Sequence, residues 1–512
     1  MKLIFTLIVL CFSGELMAQK AGTPDSSFGV DGKTITSFGD YYAECVGAAA
    51  MNDGSIIAAG NSGKGFFACK YSANGLFDTS FGINGIAFYN HYLGIAETMT
   101  VGSDNKILIA GYGTNGLGYY ITVIRFNPDG TLDSGFGING IIKTNVGENC
   151  HDITVQPDGK ILIAAETGTS FLVLRYLQNG ILDSSFGNNG LALTYLGLGS
   201  TTAIALQKDG KMLVTGSNGS SNVLVRYDSN GNKDSDFGMN GEVFFFKNSK
   251  FISSFPGMVV QTDGMILLAG SEGIFSIADS ILLVRFNSNG SFDTSFGKKG
   301  RVASRFEYRS EATRVALEKD GKIIICGDVV IDSYHDHFLV AKYNTNGTLD
   351  SLFGHDGHQV TDIDATDIAR GLIVQQDSKI VLAGLAAKSA TEPFGYEVGL
   401  TRYNNDDETK KQIIVQKIKH YLQTHNDAQA TTLNTISVYP NPAQNILHVK
   451  GLSSTQKIKL TVVDLNGNVV VSRELSVVSN VYNLNIASLH AGNYLLKIET
   501  NGETVTKQFV KE

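Results

Sequence analysis

Apolar and polar positions alternate in short runs along most of this chain, and the runs recur in a fixed order. Residues 191–228 show one unit: LALTYL, TTAIALQ, KMLVTGS and NVLVRYD, four strand-length stretches parted by turn residues. Between the second and third runs stands Asp209-Gly210, a pair that readily takes the positive φ angles of a tight hairpin. The same turn returns as Asp53-Gly54, Asp158-Gly159, Asp263-Gly264 and Asp320-Gly321, and in relaxed form as Asp104-Asn105 and Asp377-Ser378. The fourth run ends in a cation and an aromatic: Lys70-Tyr71, Arg125-Phe126, Arg175-Tyr176, Arg226-Tyr227, Arg285-Phe286, Lys342-Tyr343 and Arg402-Tyr403. Neighbours on a strand point to opposite faces, so the aromatic is placed to pack between layers and the cation to face elsewhere.

Each unit is punctuated by the phrase Gly-x-x-Asp-x-x-Phe-Gly-x-x-Gly, present in seven copies. Its members are Asp25 and Phe28, Asp78 and Phe81, Asp133 and Phe136, Asp183 and Phe186, Asp234 and Phe237, Asp293 and Phe296, and Asp350 and Phe353. Four antiparallel strands in each 50–59 residues is the size of a propeller blade. The chain opens with such a phrase (residues 22–32) that has no blade before it. Its last unit stops at TRYNNDD with no phrase after it. The two ends are complementary and predict ring closure. The expected fold is all-β: a seven-bladed β-propeller of four-stranded blades over 19–404, followed by a small Ig-like β-sandwich over 435–512. The phrase is expected to be a structural hinge where the outer strand of one blade crosses to the inner strand of the next. Its Asp would accept backbone N–H groups and meet the strand-end cation, and its Phe would be buried. A feature repeated seven times is a poor candidate for an active site.

The Asp-x-x-Phe-Gly-x-x-Gly hinge, the DGKIL hairpin and the LVRYN strand resemble the delta-60 repeat, a bacterial propeller-type repeat, over residues 22–403. The resemblance implies a fold and no reaction.

After Tyr403 the pattern changes. Residues 405–434 are charged and polar, and Ile414, Ile418, Tyr421 and Leu422 at helical spacing predict a short amphipathic helix in a linker. From Thr435 short apolar runs resume, with Asn466-Gly467 and Asn501-Gly502 as hairpin turns. This tail resembles the type A C-terminal sorting domain of the type IX secretion system. The residues carrying the likeness are Tyr439, Pro440, Asn441 and Pro442, the turn at Leu465–Gly467, AGNYLLKI with Gly492 and Tyr494, and the closing KQFVK. It implies an address: passage through the periplasm and the outer membrane of a Gram-negative bacterium, to the cell surface or medium, with the secretion machinery as partner. Residues 1–18, MKLIFTLIVLCFSGELMA, read as a secretory signal peptide, consistent with that route, and no later apolar run reaches membrane length.

A net charge of −8 with both signs scattered offers no basic face for nucleic acid. Cys45, Cys69, Cys150 and Cys326 match no zinc spacing and are expected as buried free thiols, with a Cys45–Cys69 bridge left open. Specific function is expected in the loops that differ between units, on the face opposite the hinges. Those loops bring Tyr41, Tyr42, Tyr89, Tyr92, Tyr119, Tyr120, Tyr308, Tyr334 and Tyr396, rings suited to a glycan or protein ligand. His335–His337 and Asp362, Asp364 and Asp367 are weak metal signals, and His355–His358 belongs to a hinge on the other face, so no metal or cofactor is expected. The reading is a noncatalytic binding or adhesion module. The alternative is a surface glycan hydrolase or lyase with carboxylates at the channel mouth, drawn from residues such as Glu44, Glu97, Glu166 and Asp332.

Overall fold

The computed structural model describes residues 20–39, 42–90, 94–114, 118–247, 251–274, 277–307, 309–331, 335–387, 396–405, 436–452, 457–464, 469–476, 481–500 and 503–512. The chain divides into two compact units, Gln19–Asp406 and a second that contains Asp407–Glu512. The leader at 1–18 lies outside the described residues, as does all of the 405–434 segment except Asn405.

In the larger unit the described strands form antiparallel four-stranded sheets in chain order. Gly94–Val101, Ile107–Thr114, Tyr119–Phe126 and Ile141–Thr144 make one sheet, with Gly94–Val101 at one edge and Ile141–Thr144 at the other. One sheet has seven strands, because Leu191–Leu206 serves two layers. Its first half pairs with Gly168–Tyr176 and its second half with Met212–Ser217.

This topology corrects the expected place of the hinge. Residues 127–140 join the third strand of a sheet to the outer strand of the same sheet, not one sheet to the next. The step between sheets comes after the outer strand, as at 145–148. The first apolar run after each hinge therefore closes the preceding sheet. The opening strand Lys33–Thr36 obeys the same rule and pairs with Tyr396–Tyr403, Lys33 lying opposite Thr401 and Thr36 opposite Val398.

The inner-edge strands touch in succession. Thr98 Oγ1 donates to Asp152 at 3.3 Å, whose other oxygen accepts Ile204 N–H at 2.9 Å. Thr202 Oγ1 donates to Phe255 O at 2.8 Å, and Thr313 Oγ1 to Ala369 O at 2.6 Å. Gly257 abuts Val315, Gly47 abuts Met99, and Gly371 lies so close to Ala48 that a Cβ there would meet its nitrogen at 2.6 Å. The last inner strand thus returns to the first.

Apolar clusters lie between successive sheets. Leu162, Ala164 and Val173 of one meet Ile204, Val214 and Val225 of the next, all fully or nearly buried. The strand-end aromatics belong to these layers, with Tyr71 donating to Thr36 Oγ1 at 2.8 Å and Tyr403 to Thr361 Oγ1 at 2.8 Å. Cys45, Cys69, Cys150 and Cys326 are buried free thiols in the same layers.

The hinge is a clasp. Asp183 accepts Ser185 N–H at 3.1 Å and Oγ at 2.6 Å on one oxygen, and Arg175 Nε at 2.9 Å on the other. The same guanidinium donates to Ser229 O of the next unit at 2.6 Å and lies 4.4 Å from the centre of the Phe186 ring. Arg125–Asp133, Arg226–Asp234, Arg285–Asp293 and Arg402–Asp25 repeat the ion pair at 2.7–2.8 Å. The hinge Phe side chains are 0–1% exposed, each contributing about 1.5–3 kcal/mol on burial. Gly75, at φ +77°, seats directly on the Phe28 ring, where a Cβ would fall 2.6 Å from it. Two units carry lysine in place of arginine and the clasp loosens. Lys70 stands 3.6 Å from Asp78, and Lys342 turns to Glu318, leaving Asp350 to Lys322.

The C-terminal unit has two antiparallel sheets. Ser437–Tyr439, Ile446–Lys450 and Val481–Asn485 form one; Lys457–Val463, Val469–Ser476, Gly492–Thr500 and Glu503–Lys511 form the other. Leu447, Val449 and Leu484 of the first pack on Leu460, Val462, Leu496, Ile498 and Phe509 of the second. Between Pro440 and Pro442, Asn441 imitates a strand partner, accepting Val510 N–H at 2.8 Å and donating to Gln508 O at 3.2 Å. In the strand that begins at Gly492, Tyr494 stacks on Phe509 and donates to His490 O at 2.9 Å. Gly467 lies outside the described residues.

Candidate functional site

The topology sorts the loops onto two ends of the sheets. Hinges and Asp-Gly turns share one end. The sheet-to-sheet crossovers and the second-to-third-strand loops share the other, which is the variable one. At the hinge end the chemistry is spent internally: besides the arginines, Lys106, Lys211 and Lys379 reach Asp133, Asp234 and Asp25 at 2.6–2.7 Å. Where Met265 replaces that lysine, a cleft of about 600 Å³ opens, lined by Gln261, Asp263, Met265, Arg285 and Glu318.

At the variable end the described tyrosines differ in posture. Tyr119 is 59% exposed and meets Tyr112 edge-on at 5.7 Å, whereas Tyr120 turns inward to 8% and lies under the Lys143 ammonium at 5.3 Å. They are neighbours on a strand, so strand alternation lets only one of the two face solvent. Tyr42 is exposed; Tyr89 and Tyr396 are half-buried. Tyr41, Tyr92, Tyr308 and Tyr334 lie outside the described residues. Sequence reasoning missed Tyr195, at 75% the most exposed tyrosine among the described residues, which sits with Leu193 and Leu198 where the long strand crosses between sheets. The signal was present in LALTYL: Ala192 and Thr194 are buried, so Leu193 and Tyr195 alternate outward.

The inner strands carry a bulge at matching positions, between Cys45 and Gly47, where the extra residue is the buried Val46, and in five others between Ala96 and Thr98, Cys150 and Asp152, Thr201 and Ala203, Ala312 and Arg314, and Ala369 and Gly371. The extra residues of those five are Glu97, His151, Thr202, Thr313 and Arg370. A bulge re-aims side chains, and charged groups gather along this edge. His151 Nε2 stands 3.2 Å from Glu166, which also accepts Asn149 and Thr201 N–H. Burial pushes the Glu97 carboxyl up, against the pull of His151 and Arg370. Of the expected channel-mouth carboxylates, Glu97 and Glu166 both feel His151, and Glu44 acts on Glu97. Asp332 lies outside the described residues. Asp328, missed in the sequence, stands directly opposite Glu311 in the ladder. Burial and the charges of Glu311 and Asp336 raise it to about 7, against Arg370 and Arg309.

The opposite shift holds at the hinges. Burial there disfavours the Asp183 carboxylate, but the Ser185 hydrogen bonds and the Arg175 and Lys160 charges outweigh it and hold the group at about 2. Asp25 is likewise held at about 2, with burial opposed by Lys379, Ser27 and Arg402. Asp328 keeps a proton that the unfolded chain has released, so its contribution to stability grows as pH falls through 7. The hinge carboxylates contribute above their unfolded value, 3.8, and that contribution is lost as pH falls through it toward 2. The thermal midpoint is therefore expected to rise modestly from pH 7 to about 5 and to drop steeply below about 4, with the upper slope lessened in Asp328→Asn. Equal midpoints at pH 5 and pH 3 would contradict this.

His335–His337 and His355–His358 stay apart, on opposite ends of their sheet. His337 instead meets Asp362 and Asp367, their ligand atoms all within 4.8 Å of one another.

Residues 437–512 match the family described as the secretion system C-terminal sorting domain. Segments 102–136, 156–186, 207–237, 261–296 and 318–353 match the family described as a domain of unknown function (DUF5122) beta-propeller. Among curated proteins, none matches the sequence. Solved structures similar to the chain include the polysaccharide lyase Uly1, at 9% identity and TM-score 0.42, over 71% of this chain and 90% of that one. Sqt1 from Chaetomium thermophilum is 12% identical at TM-score 0.39, over 69% and 83%. NanB sialidase from Streptococcus pneumoniae is 10% identical at 0.38, over 73% and 71%. Likeness this distant transfers neither substrate nor chemistry. By its family matches and its sheets, the chain is an all-β protein with a β-propeller unit and a C-terminal sorting domain of the kind used in type IX secretion.

Proposed function

We propose that this chain is a seven-bladed propeller exported by the type IX route and working outside the cell as a noncatalytic recognition module that holds a glycan on its variable end. In this reading residues 1–18 are a cleaved leader, 19–404 the propeller, 405–434 a linker and 435–512 an Ig-like sorting sandwich engaged by the secretion machinery. The observation that carries it is the division of labour between the two ends. Hinge-end carboxylates and guanidinium groups satisfy one another, while Tyr42, Tyr119 and Tyr195 stand exposed at the other end, as do Ile95 and Leu198. Exposed rings with polar tips offer stacking faces for sugar rings and hydrogen bonds for their hydroxyls.

The test is a broad glycan array probed with the full chain and with a Tyr42→Ala, Tyr119→Ala, Tyr195→Ala variant. Selective binding that falls at least about 10-fold in the variant, which corresponds to about 1.4 kcal/mol, is the expected result. Binding unchanged by the three substitutions would remove the variable end from the account.

The second reading, a hydrolase or lyase, is favoured by Asp328, a carboxyl raised to about 7 across the ladder from Glu311. One protonated and one ionised carboxyl is what acid–base cleavage of a glycoside requires. Turnover of an array hit that is abolished in Asp328→Asn would establish it.

A further inference from the structure

We propose that His337, Asp362 and Asp367 form a binding site for a divalent transition-metal cation of the zinc or manganese class at the variable end of the propeller unit.

The three residues are brought together by one crossover. His337 lies in the third strand Asp336–Tyr343 of its sheet, whose neighbour Phe338 pairs with Thr361 at the end of the outer strand His358–Thr361. Asp362 is the next residue along, and so emerges beside His337. The chain then steps to the next sheet and begins its inner strand at Thr366, which puts Asp367 under the crossover. Asp367 is fully buried, and its carboxylate accepts Ile363 N–H at 2.7 Å and Asp364 N–H at 3.1 Å. Lys33 of the closing outer strand donates to the Asp362 carbonyl. The Asp367 carboxylate is thus held in place by the backbone around it, and Lys33 ties down the main chain that carries Asp362.

The spacing is what sets this cluster apart from an ion pair. His337 Nδ1 stands 3.6 Å from Asp362 Oδ1 and 3.7 Å from Asp367 Oδ2. A charge-assisted hydrogen bond would close to about 2.7–2.9 Å. Donor atoms that each sit about 2.1 Å from a shared tetrahedral ion are about 3.4 Å apart; the two separations from His337 approach that value, and all three donor atoms lie within 4.8 Å of one another. The same Nδ1 is shielded from solvent and has no hydrogen-bond partner, a costly state for a ring nitrogen unless something else takes its lone pair. Two carboxylates give the charge a dication needs. The imidazole selects a transition metal over calcium, which takes six to eight oxygens. The side chain of Asp362 is 71% exposed, so the remaining coordination positions face outward, toward water or an oxygen-bearing ligand.

The full chain, stripped with chelator, should take up one equivalent of Zn²⁺ in competition with a chromogenic chelator, and the ion should raise its thermal midpoint. His337→Ala and Asp362→Ala should each weaken uptake by at least about 100-fold, since even second-shell changes at metal sites cost 10–100-fold. Asp362 is exposed, so its variant should melt like the stripped wild type and separates loss of a ligand from loss of the fold. No saturable equivalent in the wild type, equal uptake in both variants, or a preference for Ca²⁺ over Zn²⁺ would each overturn the assignment.

Discussion

Replacing Asp25 with alanine should lower the unfolding free energy of the propeller unit by about 3–5 kcal/mol, more than the same change at any other hinge. Asp25 is 2% exposed and takes the Arg402 guanidinium at 2.7 Å and the Lys379 ammonium at 2.6 Å. Removing it leaves a buried guanidinium without its counter-charge, and that uncompensated charge is the main cost. The comparison that matters is Asp183→Ala. Asp183 and Arg175 are eight residues apart on one hairpin, so the chain holds them near each other when the pair is lost. Asp25 and Arg402 are separated by 377 residues. The opening segment is kept in place by noncovalent contacts alone, among them Asp25 N–H to Arg402 O at 2.7 Å and Asn404 N–H to Thr23 O at 2.9 Å. Losing the clasp there also releases the strand Lys33–Thr36 from the last sheet. Denaturant unfolding of the two variants side by side measures the difference. An Asp25→Ala protein as stable as Asp183→Ala would mean that ring closure adds nothing beyond the local pair.

Removing residues 435–512 should abolish delivery to the cell surface and medium and leave the chain in the periplasm of a host that has the secretion system. The sorting unit is built around its own core, whose buried members Ile436, Leu447, Leu460, Leu484, Leu496 and Phe509 all lie within the tail. Truncation therefore removes a complete packing unit. Cell fractionation reads the location. A melting profile of the retained chain, with the acid-limb behaviour described above, shows that it folded. Wild-type amounts of truncated protein in the medium would refute the role given to the tail.

Much of this architecture was legible in the chain itself, because a repeated unit states its own grammar several times. The Asp-to-cation clasp followed from strand alternation, and Arg125, Arg175, Arg226, Arg285 and Arg402 all make it. The phase of the repeat was not legible. An outer strand such as Ile141–Thr144 is only four residues long and follows the hinge directly. Apolar patterning cannot say whether such a strand ends one sheet or begins the next; hydrogen bonding decides. Side-chain posture was readable only in part, since Tyr119 and Tyr120 stand in one loop-like string yet lie on a strand. The cluster of His337 with Asp362 and Asp367 stayed hidden for a different reason. Its members sit on two sheets, and only the course of the crossover makes them neighbours.

The pairing of Lys33–Thr36 with Tyr396–Tyr403 also sets a timetable. A polypeptide leaves the ribosome from its amino end, so the earliest of the described propeller strands is the one whose partner is the last of them to be made. Until Tyr403 has emerged, Lys33–Thr36 waits with unpaired backbone groups, and the sheets between them can assemble only as an open arc. Such an arc has two bare edges that can recruit each other or a neighbouring molecule. Folding of this protein therefore has a late, all-or-none final event, and factors that shield strand edges during transit would act on the interval before it.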